Sequence, residues 1–376
     1  MKLNDEQREF QSLARLVSEK QLASLAPLAD VEDGFDRDAW EVLREHDFVG
    51  LAIDEEHGGL GRGVVTGSLV IEQLARNHAS VALCFLVPYI FAAALADSDD
   101  LAARYLPKLA SGEALGAFLL TEPGSGSDAA SITTRAELNG DSYVVNGTKH
   151  FITNGDVADL GLLYARTGGP GGSGISAFLL EMDTPGVTIG RHEQKMGLRG
   201  CSLVEVRFEN ARVPVINLIG EEGKGLRVAL TGLDFARVLV ASLAVGLAQG
   251  ALDMALEYAK GREQFGRPVS SNQGLQWLIV DQQMAIAASR ELALEAARKV
   301  EEHEPDALQY ASMAKAFCTD MCMQVTTNAV QIFGGYGYLR DYGVERMMRD
   351  AKILQIFEGT NQVQRIAVAR LIIGRG

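Results

Sequence analysis

The chain has 376 residues, 47% of them hydrophobic, and a formal net charge of −14 with a pI near 5.0. That length supports a sizeable core and more than one domain. The acidic balance argues against sequence-independent nucleic-acid binding, which needs a basic face. Residues 1–112 read as a helical domain. "NDEQREFQSLARLVSEKQLASLA" opens on Asn4, a candidate N-cap, and its apolar residues recur at helical spacing. "WEVLREHDFVGL" predicts a helix stopped at Gly50. "HGGLGRG", 57–63, crowds its glycines, but no strand precedes it, so it reads as a turn between helices. "VVTGSLVIEQLARNHASVALCFLVPYIFAAALA" predicts two apolar helices around Asn77–Ser80, and "DLAARYLPKLASGE" closes the zone.

Residues 113–218 change character and read as a middle β-domain. "LLTEPGSGSD", 119–128, starts like a strand and runs into a loop. "SYVVNGTKHFITNG" carries Asn146-Gly147 and Asn154-Gly155, both hairpin signals. Strand alternation would put Phe151 and Thr153 on one face. "LGLLYAR" and "ISAFLLEM" flank "TGGPGGSG", a surface hairpin loop with no Lys to cradle a phosphate. "SLVEVRFENARVP" alternates at Val204, Val206 and Phe208, a half-buried strand.

Residues 219–376 return to long helices, the last from about Asn361 to Ile373, and four of this length predict an antiparallel bundle. The charge-free stretch 238–252 is shorter than a membrane span of about 20 residues and holds Ser, Gln and Gly, so it reads as a core helix. No basic segment followed by an apolar run marks a secretory signal. Cys84, Cys201, Cys318 and Cys322 form no CxxC pair and read as packed free thiols, as expected in a reducing, cytoplasmic setting.

Several common sites can be set aside. There is no GxxxxGK[ST], no GxSxG elbow, and the six histidines lack metal-binding spacing. Separated motifs remain. "TEPGSGSD" offers backbone N–H groups and hydroxyls suited to a polar ring edge or a phosphate, though an ordinary turn would read the same way. "NGTKHFITNG" reads as a hairpin. "GREQFGRP", 261–268, followed by Gln273, reads as a helix end with a solvated Arg. "QIFGGYGYLRDYGVERMMRDAKILQIFEGTNQVQR", 331–365, holds a lone carboxylate, Glu358, between Phe357 and Gly359, with Ile353, Leu354 and Ile356 upstream. A solvated loop or a catalytic base in a dry site would each explain it.

In this order and spacing the motifs resemble the acyl-CoA dehydrogenase family, across essentially the whole chain. The resemblance implies a mainly α fold with a central β-domain: an N-terminal helical domain, a middle β-barrel-like domain and a C-terminal four-helix bundle, with FAD between them. It implies removal of a Cα proton and a Cβ hydride from an acyl-CoA thioester, the hydride going to flavin N5 and the product being the trans-2-enoyl-CoA. The Cα proton is weakly acidic, so the base needs a raised pKa in a dry site and the enolate-like oxygen needs fixed donors. Glu358 matches the base of the short- and medium-chain branches. Other branches place the base beside Arg237, where this chain has Ala236. The oxyanion donors would be the Glu358 backbone N–H and a flavin ribityl hydroxyl.

The same resemblance implies the cofactor contacts. Thr121, Gly126 and Ser127 match the loop holding the flavin ring and the nearby substrate, with Phe118 and Leu120 as neighbouring ring contacts. Phe151 and Thr153 match positions that cover the flavin and bond its polar edge; the family often has Trp at Phe151. Arg262, Phe265, Gln273, Gln331 and Gly335 match residues reaching the FAD of a neighbouring subunit, with Arg262 on its pyrophosphate, which requires at least a dimer and usually means a homotetramer. Thr360 and Gln362 match positions near the cofactor. Phe357 and Gly359 lie on the substrate side, as do Asp234 and Arg237, unless that pair merely lines the bundle. The implied electron acceptor is electron-transferring flavoprotein, docked partly at Glu193, and the implied setting is fatty acid β-oxidation. Phe85, Tyr89 and Phe91 would shorten the acyl pocket, favouring short or branched chains. The alternatives are the same chemistry on a carrier-protein-bound acyl group, or an oxygen-using flavin oxidase or monooxygenase.

Overall fold

A computed structural model describes residues 2–374. The first region holds helices α1 (Asp5–Val17), α2 (Ala26–Glu32), α3 (Arg37–Glu45), α4 (Val64–Ala75), α5 (Ala79–Phe85), α6 (Val87–Leu95) and α7 (Asp99–Ala110). Asn4 caps α1 through a reciprocal bond pair with Gln7. The apolar stretch expected to form two helices forms three. It breaks at Leu86 because Pro88 lacks an N–H and disfavours a continuous helix before it. The third helix, α3, stops at Glu45, short of the expected Gly50. Asp47 turns left-handed (φ 56°) and residues 48–50 make one tight turn.

The middle region is one sheet of β1 (Gly116–Leu119), β2 (Arg135–Asn139), β3 (Ser142–Thr153), β4 (Leu160–Arg166), β5 (Ile175–Glu181), β6 (Val187–His192), β7 (Leu203–Pro214) and β8 (Leu218–Ile219). Its order is β6-β7-β3-β2-β4-β5-β8, with β1 parallel to β4. β4 and β5 form the hairpin around the glycine-rich loop. Asn146-Gly147 is not a hairpin turn. It lies within β3 at a bulge against β7, and the turn between β2 and β3 falls instead at Gly140 (φ 70°). Asn154-Gly155 is a turn, but the strands it joins are separated by β2. A second bulge, between Lys149 and Ile152, leaves Phe151 at φ 58°, so simple alternation does not relate Phe151 to Thr153.

The last region holds α8 (Gly225–Gly261), a short hairpin of β9 (Glu263–Gln264) and β10 (Arg267–Pro268), α9 (Gln273–Glu301), α10 (Ala307–Phe333), α11 (Val344–Leu354) and α12 (Asn361–Ile373). Helices α8, α9 and α10 pack together, and α11 and α12 both lean on α10, sharing the fourth place of the bundle. By length and composition α8 could cross a membrane, yet every residue from Val238 to Leu252 is buried within the protein. The first and last regions touch at backbone distance. A Cβ on Gly246 would fall 1.9 Å from the Glu72 carbonyl oxygen, and one on Gly250 2.0 Å from that of Arg76, so glycine alone lets α8 and α4 approach this closely. One apolar core runs through both helical regions and one face of the sheet, where Leu162, Tyr164 and Leu179 belong to it, and a second lies on the sheet's other face. All four cysteines are buried and unpaired by disulfides.

Candidate active site

The loop between α11 and α12 carries Glu358. The chain reverses there: the Asn361 N–H donates to the Gln355 carbonyl at 3.0 Å, with Glu358 at φ 54° and Gly359 at φ 83°. Gly359 adopts this conformation freely, whereas a left-handed glutamate stores strain of about 1–2 kcal/mol. Such strain persists only where the surroundings enforce it. Here they do. The Gln364 Nε2 donates to the Glu358 and Gly359 carbonyls at 3.0 and 3.1 Å, and Lys315 Nζ on α10 donates to the Gly359 carbonyl at 2.8 Å. Thr360 caps α12 by accepting the Val363 N–H at 3.2 Å, and Gln362 faces solvent.

The Glu358 residue as a whole is half-buried, but its Oε2 is sealed from solvent and accepts no hydrogen bond. Burial pushes its carboxyl above the ordinary range, while the charges of Arg237 and Lys315 pull the other way. The Glu358 backbone N–H donates to no protein acceptor among the described residues. Arg237 is buried on α8 and bonds Asp234 at 2.6 Å, while its Nε lacks a partner. Burial raises the Asp234 carboxyl despite that arginine. Ala236 is fully buried and offers no carboxylate. A dry carboxylate beside a free N–H is suited to taking a proton from a carbon next to a carbonyl held at that donor.

The loop after β1 is pinned from beneath. Lys149, fully buried on β3, donates to Glu122 Oε1 at 2.8 Å and to the Leu120 carbonyl at 3.0 Å. Glu122 also accepts from the N–H groups of Thr133 and Thr134 at 2.6 and 2.9 Å. The Thr121 carbonyl accepts the His150 N–H at 2.8 Å. Leu120 is buried, Thr121 and Thr153 are half-buried, and Gly126 and Ser127 are exposed with open space at Gly126. Phe118 packs its ring 5.1 Å from that of Tyr164. Phe151 is 55% exposed and stacks on His150 at 4.1 Å, and His150 Nε2 lies 3.2 Å from Glu193 Oε1. The buried Lys149–Glu122 pair escaped sequence reading; its only signal was a lysine amid β-branched strand residues.

A third cluster lies beyond the C-terminal end of α10. Arg262 and Gly335 line a cavity of about 390 Å³ with Tyr258, Phe333 and Tyr336. The Arg262 guanidinium sits 5.2 Å over the Tyr336 ring and meets no acceptor among the described residues. Phe265, at φ 56°, is 100% exposed, and Gln273 shortly after it and Gln331 two residues before Phe333 are exposed as well. About 27 Å of helix separates Lys315, which holds the Glu358 loop, from Phe333, so this cluster and Glu358 stand well apart along α10. The donors suit FAD: an uncompensated arginine for a pyrophosphate, exposed aromatic faces, and an open loop of small residues and hydroxyls for a ring edge.

Two helical regions about a sheet, with a sealed carboxylate oxygen and a donor set suited to FAD, define the class: a flavin-dependent oxidoreductase. The chain belongs to the acyl-CoA dehydrogenase family. Its residues 4–113, 117–211 and 223–373 match the family's N-terminal, middle and C-terminal domains in turn. It is an FAD-dependent acyl-CoA dehydrogenase by that membership. It is 41% identical to a cyclohex-1-ene-1-carbonyl-CoA dehydrogenase of Geobacter metallireducens, over 99% of each chain. Among solved structures it resembles the butyryl-CoA dehydrogenase of Megasphaera elsdenii (TM-score 0.95, 40% identity, 99% of each chain). It also resembles a chain solved in work on the electron-transferring flavoprotein of Acidaminococcus fermentans and flavin-based electron bifurcation (TM-score 0.97, 41% identity, 100% of each chain).

Proposed function

We propose that the protein converts an acyl-CoA to its trans-2-enoyl-CoA, with Glu358 as the base for the Cα proton. The observation that carries this reading is the Glu358 carboxylate, its Oε2 sealed from solvent and unpartnered, beside its own free N–H. Bound FAD would supply the hydride acceptor and, through a ribityl hydroxyl, a second donor to the thioester oxygen. The loop of Thr121, Gly126 and Ser127, with Phe118, Leu120, Phe151 and Thr153, would hold the flavin ring; Phe357, Gly359, Asp234 and Arg237 would border the substrate. Thr360 and Gln362 would approach the cofactor from the start of α12. Phe85, Tyr89 and Phe91 are all buried on α5 and α6, and the butyryl-CoA dehydrogenase likeness supports a short or branched acyl group. A domain limit at 112/113 would fall between α7 and β1, whereas one at 218/219 would cut β8, so the second division is better drawn between Ile219 and Gly225.

The separation of Arg262 from Glu358 supports a site completed by a second copy, with Arg262, Phe265, Gln273, Gln331 and Gly335 serving the FAD of a neighbour in a homotetramer. Electron-transferring flavoprotein is the proposed acceptor, with Glu193 near its docking site, and β-oxidation in the cytoplasm the proposed setting. Anaerobic bleaching of the flavin across a panel of acyl-CoAs tests the reaction. Short or branched acyl-CoAs are expected to bleach it fastest, and a flavin that none of them reduces refutes the reading. Arg262→Ala is expected to weaken FAD binding about tenfold or more, because a charge-assisted pair is lost. Flavin absorbance per protein after dialysis measures it, and unchanged retention would remove Arg262 from the cofactor site.

A further inference from the structure

Lys315 is fully buried, and both groups it touches are neutral: the Gly359 carbonyl at 2.8 Å and Asn361 Oδ1 at 2.9 Å. A buried lysine ordinarily binds a carboxylate, because an uncompensated charge away from water is costly. The charges around it are otherwise committed. Arg237, facing from α8, is bound by Asp234 at 2.6 Å. Asp320, one turn along α10, is taken by Arg365 of α12 at 2.7 Å, by Gln355 at 2.6 Å and by Asn361 at 2.8 Å. The remaining carboxylate acting on Lys315 with appreciable strength is Glu358.

We propose that Lys315 is the positioning residue of the proton-abstracting loop: it fixes the backbone from Gly359 to Asn361 and adds its uncompensated charge to that of Arg237 in favouring the ionised form of Glu358 in a dry site. This rests on Glu358 being the base. A neutral donor would hold the two oxygens equally well, so the charge has a separate consequence. Burial lowers the Lys315 ammonium to about 8, with Glu358 opposing, so the cation persists through neutral pH. Without it, Glu358 would take up its proton at a higher pH, and less base would be available under acidic conditions.

The test is the pH profile of anaerobic flavin bleaching in rapid mixing, using FAD-loaded Lys315→Met, Lys315→Gln and Lys315→Arg beside the unmodified enzyme and Glu358→Gln. The two neutral variants are expected to lose about tenfold in rate at the acidic end beyond any loss at alkaline pH. Lys315→Arg should keep the original acid limb. If Lys315→Met fails to fold, Lys315→Gln, which still donates, carries the comparison. A pH-independent loss, or none, in the neutral variants overturns the charge role. Near-normal bleaching by Glu358→Gln would instead remove the base itself. An inactive Glu358→Gln with unmoved acid limbs in the lysine variants removes only the proposal for Lys315.

Discussion

Glu358→Gln is expected to keep its yellow FAD and lose turnover by about 10²–10⁴-fold, the usual worth of a positioned general base. The substitution preserves shape and removes the only group in the loop able to accept a proton. Substrate binding should change little, since the backbone N–H stays in place. The unmodified enzyme should lose activity as pH falls through the raised carboxyl pKa, and the residual activity of the variant should lack that limb. A stability effect of opposite sign accompanies this. A carboxyl whose folded pKa lies above its unfolded value supports folding at low pH, and that support fades as pH rises through the folded pKa. Glu358→Gln should therefore melt at or above the temperature of the original at neutral pH, with the difference vanishing in acid. Near-normal turnover in this variant would sink the assignment.

Glu122→Ala is expected to cost about 3–5 kcal/mol, because it leaves the buried Lys149 ammonium without its counter-charge. Burial pushes the Glu122 carboxyl up, but Lys149 and the donors from Thr133 and Thr134 outweigh it and hold it at about 2. For a depressed carboxyl the stabilisation is complete above its ordinary value of 4.5 and is lost as pH falls towards about 2. Urea unfolding midpoints between neutral and acidic pH measure this. The gap between the original and Glu122→Ala should narrow over that window. Replacing both partners, Glu122→Leu with Lys149→Met, should recover much of the loss. A single-variant cost below about 1 kcal/mol would mean that the pair does not hold the loop after β1.

The sequence announces what depends on local pattern. The long apolar helices, the strand at Leu203–Pro214, the Asn4 cap and the isolated carboxylate of "FEGTN" are legible because period, cap chemistry and charge contrast act over a few residues. Its failures are non-local. Asn146-Gly147 carries a turn signature, but the long antiparallel pairing with β7 absorbs it as a bulge. Phe151 and Thr153 obey alternation only if no residue is inserted, and one is. Lys149 and Lys315 look like solvated charges, since nothing adjacent in sequence reveals the neighbours that bury them. Helix α11 hides behind the glycines that precede it.

The glycine contacts between α4 and α8 bear on how the protein comes apart. Interlocked backbones sharing one apolar core leave no surface along which the two helical regions could separate without exposing it. They should therefore unfold in a single cooperative step, although the whole sheet lies between them in the chain. One face of the sheet, through Leu160, Leu162, Tyr164, Ile175 and Leu179, joins that same core, and only the other face packs a core of its own, so calorimetry should resolve at most one further transition, belonging to that second core. A fragment ending at residue 112 is expected to remain molten, since the helix that would complete its interior begins at Gly225. The order of domains along the chain and the order of melting are thus different partitions of the same molecule.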